Sequence, residues 1–342
     1  MKNYAEQLDK ERRKVDFDTF DFSVKELVAM ASDGTINVAP EYQRQFRWPA
    51  ENQSRFVESV FLGIPVPSLF MAANKDGTWE LIDGVQRLST LIHFIGNDDQ
   101  LAKFKFESPL VLTGLESLTD FNGCTHGQIP STIQLKFALR PLKVTTLSDK
   151  SDLKVRFDLF ERLNTGGVVL TKQEIRGCVF RGEFNDFLSD LSTNKDFEKC
   201  VNLTDTNMTD GTKQELVLKF FAYLNNRNSF DHSVVDFLND YMEKSTASFD
   251  YKNNRAVFEE TFKQLSIVLP DGIKRGNRRI TPINLYEAVS VGAADAIAAK
   301  KNVSNSSVPT WINDKELTQL TSGATNSRKR LVERIKYCFD RF

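Results

Sequence analysis

The clearest chemistry in this sequence lies at Asp83-Gly84, where a short apolar run changes into a helical pattern. Trp79–Ile82 is typical of a β-strand, whereas Leu88 and the apolar residues after it recur at helical spacing. A strand that passes through Asp-Gly directly into a helix points the first free backbone N–H groups of the helix at one place. The positive end of the helix dipole points there too, so the place favours an anion.

Side chains around this turn suit phosphate in particular. Arg87 is a forked cation one turn into the predicted helix, and Gln86 carries a neutral donor and acceptor. Ser89 and Thr90 add hydroxyl groups, and Asp83 is a candidate ligand for Mg²⁺ or for its bound water. The plainer interpretation is an Asp-Gly turn in which Asp83 caps an ordinary helix and Arg87 points into solvent.

A second polar cluster of the same type lies upstream, and the order of the motifs points to a family. The motifs are, in order, Tyr42-Gln43-Arg44, Arg47-Trp48, Glu58-Ser59, Gly63-Ile64-Pro65, Asp83-Gly84-Val85-Gln86-Arg87-Leu88 and Phe160-Glu161-Arg162-Leu163-Asn164-Thr165-Gly166-Gly167. With these motifs, from about residue 20 to about residue 225 the sequence resembles the N-terminal domain family of GmrSD-type modification-dependent restriction proteins. That domain is similar in fold to the ParB and sulfiredoxin nucleotide-binding domains.

The resemblance implies an α+β protein. A ParB/sulfiredoxin-like domain with a small mixed sheet is expected over residues 1–180, and the helical pattern that follows predicts an all-helical part over residues 181–342. It also implies a nucleotide pocket with nine contributing residues: Tyr42, Gln43, Arg44, Gly84, Arg87, Ser89, Thr90, Arg162 and Asn164.

Related domains couple the binding or hydrolysis of a nucleotide to DNA restriction, chiefly of phage DNA with modified bases or backbone. The resemblance therefore implies Mg-dependent hydrolysis of a nucleoside triphosphate that gates DNA recognition, in the manner of other phosphoryl-transfer sites. Arg87 and Arg44 would neutralise the β- and γ-phosphates, Asp83 would hold the metal or its water, and Gln86 would position the attacking water. The expected partners are modified or phage DNA and a separate nuclease subunit.

Two departures from the family pattern bear on this function. The family motif is Asp-Gly-Gln-Gln-Arg, and this chain has Val85 where the motif has its first Gln. If that glutamine amide orients water in the family, its loss weakens hydrolysis here. If the amide only faces the core, hydrolysis is unaffected. Many relatives carry an HNH-like nuclease domain, which needs clustered histidines. Here the only histidines are His93, His126 and His232, far apart in the sequence. Nuclease activity of that kind is therefore not expected in this chain.

Two other functions stay open. The chain could be a non-hydrolysing DNA-binding specificity module that works with a separate nuclease, which Val85 favours. It could also cleave DNA directly, with Glu58 and Asp83 holding a metal. Glu58 either pairs with Arg55 at the edge of its helix or faces the pocket, as its position in the family motif implies.

The loop after the helix at residues 152–163 has two interpretations as well. Arg162 and Asn164 could reach the nucleotide pocket, as the resemblance implies, or the segment could be only a helix end and turn.

Composition excludes some function classes. The chain has 342 residues, 45 Lys plus Arg and 46 Asp plus Glu, so no global basic excess draws it to nucleic acid. Any DNA contact must therefore be a local patch. The best candidate is the basic turn formed by Lys274, Arg275, Arg278 and Arg279, which could grip a phosphate backbone or could simply be a solvated loop.

The four cysteines are scattered, which favours a reducing compartment and argues against a disulfide framework or structural zinc. The first residues lack the apolar core of a signal peptide, and the longest apolar stretch is broken by glycine and prolines. We therefore expect a cytoplasmic protein without membrane contact. The oligomeric state stays open, a homo-oligomer included.

The elements that must position these residues follow from local patterns. Capping boxes predict helix starts at Ser23 and Thr171, and Gly63 is a predicted helix end. An Asn-Lys-Asp-Gly turn at 74–77 predicts a hairpin that feeds the central motif. Predicted strands are 35–38, 68–73, 78–82, 110–112 and 142–145; predicted helices are 23–30, 49–63, 117–121, 152–163, 183–191, 213–226, 231–243, 254–268, 281–300 and 327–341, with residues 1–19 an exposed helix or frayed arm.

Overall fold

The structure, a computed structural model, describes residues 3–12, 16–38, 48–74, 76–148, 151–163, 170–323 and 326–342. The chain divides between residues 169 and 170 into two compact units. This border lies before the domain border predicted at residue 180, because the helix at Lys172–Val179 packs within the second unit.

The first unit contains a mixed five-stranded sheet. In it β5 pairs antiparallel with the edge strand β1 and parallel with β3, while β4 pairs antiparallel with β3 and parallel with β2. The order across the sheet is β1-β5-β3-β4-β2. The α+β class and the small mixed sheet are thus confirmed, whereas the specific ParB/sulfiredoxin-like fold stays a prediction. The strands are β1 Phe17–Ser23, β2 Ile36–Asn37, β3 Leu69–Ala73, β4 Trp79–Asp83 and β5 Pro141–Leu147.

Helices cover this sheet and close its apolar core. Fully buried side chains of α2, α3 and α4, among them Leu27, Val57 and Leu88, pack with Leu81 of β4. The helix α7 also contacts β4. The helices are α1 Tyr4–Arg12, α2 Val24–Asp33, α3 Ala50–Leu62, α4 Val85–Ile95, α5 Asp98–Lys103, α6 Ser131–Ala138 and α7 Leu153–Leu163, with short 3₁₀ turns at Thr119–Phe121 and His126–Gln128.

Local sequence signals determined several of these elements. Ser23 and Glu26 form the predicted capping box at the start of α2, and α3 ends at Gly63 in a left-handed conformation. The predicted hairpin is confirmed, since the Asn74 N–H donates to the Thr78 carbonyl at 2.8 Å and β3 pairs with β4. The sequence therefore places the strand that leads into Asp83 correctly.

Two expectations about the first unit were wrong. Residues 110–112 form no strand, and β1 was missed because residues up to 19 were expected to be a charged arm or helix. The exposed side chains of Phe17 and Phe20 give this edge strand no clean apolar-in pattern.

The second unit is helical, as predicted: every regular element described in residues 170–342 is a helix. Phe184, Phe187, Phe220, Phe221 and Tyr223 are buried and belong to the core of this unit. The helices are α8 Lys172–Val179, α9 Glu183–Leu191, α10 Lys195–Cys200, α11 Thr212–Asn226, α12 Val234–Ala247, α13 Tyr251–Val268, α14 Ile283–Ala298, α15 Val308–Trp311, α16 Lys315–Leu320 and α17 Arg328–Arg341, with 3₁₀ turns at Arg227–Ser229 and Val303–Asn305.

A chain of buried ion pairs ties four of these helices together. Arg176 of α8 pairs with Glu215 of α11 at 3.1 Å, and Glu215 pairs with Lys219 at 3.2 Å. Lys219 then lies 3.5 Å from Glu287 of α14, which also pairs with Arg334 of α17. Each of these carboxylates lies between two cations, so removal of one carboxylate leaves buried charge without compensation.

We expect Glu287→Gln to destabilise the protein by about 3 kcal/mol, because the buried Lys219 and Arg334 would both face a neutral amide. Urea unfolding measures the change. The control is Glu333→Gln, which removes an exposed pair with Lys329 at 3.9 Å and should cost less than about 1 kcal/mol. Equal effects of the two substitutions would contradict a structural role for the buried chain.

Candidate functional site

The site is built on the turn at Gly84, the single residue between β4 and α4. Gly84 has φ +107°, and a Cβ atom there would overlap Leu69 Cδ2. Only glycine combines this left-handed conformation with the close approach of Leu69. Gly84 is the N-cap of α4, and no described side chain caps the helix at this end. The first N–H groups of α4 have no partner within the helix, which is the arrangement that would favour an anion at this end.

Arg87 folds back over this turn. Its Nη2 donates to Asp83 Oδ2 at 2.6 Å, and its Nη1 donates to the carbonyl of Ser68 at 3.1 Å and to the carbonyl of Pro67. The Arg87 side chain is only 11% exposed. Burial lowers the pKa of Arg87, and the neighbouring Asp83 carboxylate opposes that shift. The plainer expectation of a solvated arginine was therefore wrong, and Arg87 starts from a paired state.

Asp83 is the candidate metal ligand. Its side chain is 32% exposed, and the bond to Arg87 engages only one of its two carboxylate oxygens. The described residues contain no group of three histidine, cysteine or acidic side chains that could hold a metal by themselves. Mg²⁺ commonly binds through one or two carboxylates together with substrate phosphates and water, and Asp83 fits that mode.

The other motif residues are placed differently from one another. Gln86 Oε1 accepts a hydrogen bond from the Trp48 N–H at 3.1 Å, so its amide lies at the start of α4. Val85 is partly buried against the core, which is the arrangement in which the loss of the family's Gln would matter least. Ser89 and Thr90 are buried, and the Thr90 hydroxyl donates to the Gln86 carbonyl at 2.7 Å. This geometry does not favour the predicted contacts of Ser89 and Thr90 with a nucleotide.

The strand β2 ends at the same edge of the sheet as this turn. Because β2 runs parallel to β4, the carboxyl ends of both strands lie at the same edge of the sheet. The chain leaves β2 at that edge, and Trp48 is hydrogen-bonded to Gln86. Tyr42, Gln43, Arg44 and Asn164 lie outside the described residues, and Arg162 is exposed in the last turn of α7.

Glu58 has a partner that neither expectation named. Its Oε1 accepts hydrogen bonds from the backbone N–H groups of Ser117 at 2.9 Å and Leu118 at 2.8 Å. Arg55 pairs with Glu116 instead, at 3.3 Å. Glu58 therefore anchors the loop before the 3₁₀ turn, and this placement argues against the predicted catalytic role of Glu58 beside Asp83.

In the basic turn, Arg275 has a structural role, whereas the side chains of Lys274, Arg278 and Arg279 are partly or fully exposed. Arg275 donates to the carbonyls of Ile312 at 3.3 Å and Leu317 at 3.1 Å and to the Thr321 hydroxyl, so its predicted contact with DNA is corrected to a structural role. Arg278 and Arg279 are exposed. Burial lowers the pKa of Arg275, and the positive charge of Arg278 acts in the same direction.

The sequence analysis missed one buried polar link beside the motif. Gln53 is 5% exposed in α3, yet its amide bonds to the Trp48 carbonyl and to the ring of His93. A glutamine inside the apolar stripe of a predicted helix was the available sign, because buried amides need partners.

Comparison with known proteins supports the family resemblance of the segment that contains the Asp83–Arg87 motif. Residues 24–181 match the family model described as the GmrSD restriction endonuclease, N-terminal domain. No curated protein and no solved structure matches the chain. None of the described helices combines the length and the apolar character needed to cross a bilayer.

The turn itself can be tested with two glycine substitutions. Gly84→Ala should destabilise the protein by about 1–2 kcal/mol for the left-handed conformation and about 1–3 kcal/mol more for the overlap with Leu69. Gly34→Ala is the matched control, since Gly34 has φ +90° but no atom within 4 Å of an added Cβ. Thermal unfolding compares the two variants, and a Gly84→Ala cost no larger than that of Gly34→Ala would refute the close packing.

Proposed function

Since residues 24–181 belong to the GmrSD restriction endonuclease N-terminal domain family, we propose that this protein is the nucleotide-binding and NTP-hydrolysing component of a modification-dependent DNA restriction or anti-phage defence system. The observation that carries the proposal is the geometry of the Asp83–Arg87 turn. An uncapped helix N-terminus, a carboxylate and a guanidinium meet there within five residues of chain.

The paired charges suggest how a nucleotide is accepted. Asp83 and Arg87 neutralise each other in the structure, at 2.6 Å. A phosphate can replace Asp83 as the partner of Arg87, which frees the Asp83 carboxylate for Mg²⁺. When bound, the metal would withdraw charge from the phosphate oxygens. Gln86 lies at the start of α4 to orient water, and Arg44 is proposed as a second cation on the phosphates.

A second candidate function is supported by a separate observation. The side chains of Gln86 and Arg87 both have intramolecular partners, and Val85 replaces the family's first Gln with a side chain that packs on the core. These features favour a pocket that binds its ligand without hydrolysing a nucleotide. The alternative is therefore a non-hydrolysing DNA-binding specificity module that works with a separate nuclease.

Phosphate release from each of the four triphosphates distinguishes these functions. With Mg²⁺ present we expect release by the wild type and a loss of at least about a hundredfold in Arg87→Ala, because the guanidinium that binds the reacting phosphate is removed. Arg140→Ala is the control: it removes a partly buried arginine of the same unit that donates to the Phe61 carbonyl at 2.9 Å. Arg140→Ala should retain activity.

The outcomes separate enzyme from module. Nucleotide binding without release, in the presence or absence of DNA, would support the module and reject the hydrolase. Equal rates for wild type and Arg87→Ala would reject the proposed site. Val85→Gln restores the family motif and should raise the rate only if the amide at that position orients water.

DNA contact is proposed for the basic turn in the helical unit. Lys274 is partly exposed, Arg278 and Arg279 are exposed, and within the described chain none of the three side chains forms an ion pair. Two hydrogen bonds fix the backbone of the turn in place. Arg275 donates to the Leu317 carbonyl, and the Gly276 N–H donates to Asn313 Oδ1 at 3.1 Å. Fixed cations without acidic partners suit a phosphate backbone.

Replacing Lys274, Arg278 and Arg279 with alanine should weaken binding to every duplex alike. The dependence of log K on log salt should flatten by roughly 0.9 for each DNA phosphate that the variant no longer neutralises. Basal hydrolysis should not change, because these residues lie in the helical unit. Arg275→Ala should instead lower the thermal stability, because the hydrogen bonds from this arginine to Ile312 and Leu317 disappear. An unchanged salt slope in the triple variant would identify the turn as a solvated loop.

A further inference from the structure

A continuous hydrogen-bonded link runs from His93 to the proposed pocket. His93 Nδ1 lies 2.8 Å from Gln53 Oε1, and Gln53 Nε2 donates to the Trp48 carbonyl at 2.9 Å. The Trp48 N–H in turn donates to Gln86 Oε1 at 3.1 Å. The link thus connects His93, in the last turn of α4, to Gln86, in its first turn. It runs through the Gln53 side chain of α3 and the backbone of Trp48.

The other ring nitrogen of His93 also faces an acceptor. His93 Nε2 lies 2.9 Å from the carbonyl oxygen of Ser108, and the ring stacks on Phe106 at 4.1 Å. A neutral imidazole has one N–H, so it can donate to Gln53 or to Ser108 but not to both. Rotating the Gln53 amide does not help, because its oxygen would then face the Trp48 carbonyl. The complete set of bonds requires the doubly protonated ring.

Burial and a hydrogen bond shift the pKa of this ring in opposite directions. Burial has the larger effect and lowers the pKa of His93, while the hydrogen bond to Ser108 opposes part of that shift. The contacts from α3 and from the loop at 106–108 are the uncharged Gln53 amide, the Ser108 carbonyl and the Phe106 ring, and the charged Glu107 of that loop is exposed. His93 lies in the last turn of α4, where the helix dipole favours a cation.

We propose that Gln53 and His93 are positioning residues of the nucleotide pocket: the His93 ring, donating from Nδ1, fixes the Gln53 amide, which holds Trp48 against Gln86. This inference rests on the proposed function for its consequence, since Gln86 is the group assigned to orient water. Neither Gln53 nor His93 touches the proposed phosphate.

The test compares two glutamines in the full-length protein. Gln53→Met removes the link, whereas Gln134→Met removes another partly buried amide of the same unit, one that donates to the carbonyls of His126 at 2.9 Å and Ile129 at 2.7 Å. Hydrogen exchange of the Trp48 amide should be about tenfold faster or more in Gln53→Met and unchanged in Gln134→Met. Triphosphate affinity should fall about tenfold in the first variant only.

A third variant separates positioning from simple loss of stability. Gln53→Glu keeps an acceptor for His93 but cannot donate to the Trp48 carbonyl. Its ¹⁵N spectrum should show the His93 imidazolium persisting to higher pH than in the wild type, while the Trp48 amide still exchanges faster. Slow Trp48 exchange in both Gln53 variants would overturn the link. Fast exchange with unchanged triphosphate affinity would overturn its role in the pocket.

A wild type that binds no triphosphate would refute the proposed function instead. The Trp48 exchange rates would still decide whether Gln53 and His93 hold Trp48 against Gln86.

Discussion

The left-handed turn at Gly84 is the constraint on which the proposed site depends. It lets β4 pass into α4 with Gly84 as the single residue between them, so the first N–H groups of the helix, which have no partner within the helix, lie at the edge of the sheet. Arg87 then lies one helical turn from Asp83, close enough for the two charges to pair. Leu69 fills the space that a side chain at position 84 would need. One glycine therefore brings backbone donors, an anion and a cation together.

The Asp83–Arg87 pair also limits which ligands the pocket can accept. Breaking a largely buried pair leaves two charges that both need new partners. Inorganic phosphate alone would satisfy Arg87 but would leave Asp83 unpaired beside a second anion. A magnesium-bound nucleotide supplies an anion for Arg87 and a cation for Asp83 at once. The paired charges are therefore compatible with the metal complex of a nucleotide, the ligand that the proposed function requires.

Patterns of neighbouring residues predicted the secondary-structure elements that position this site. The side-chain contacts within the site depend on residues that are distant in the sequence. The hairpin, the capping box at Ser23 and the Asp-Gly entry to α4 depend on neighbouring residues and were predicted correctly. The partners of Arg87 at Pro67 and Ser68 and the link from His93 to Gln53 depend on tertiary packing, which no short pattern encodes. The same reason explains Arg275, whose charge indicated DNA but whose contacts hold α16.

The most direct test of the paired-charge site is a thermal unfolding screen with ATP, GTP, CTP and UTP, each with Mg²⁺ and with a chelator. At a hundred times its dissociation constant a ligand adds about 2.7 kcal/mol to the free energy of unfolding. If a phosphate replaces Asp83 as the partner of Arg87 and Mg²⁺ then binds Asp83, at least one triphosphate should raise the melting temperature with Mg²⁺ and do so far less without it. No shift with any triphosphate, or equal shifts with and without the metal, would contradict it.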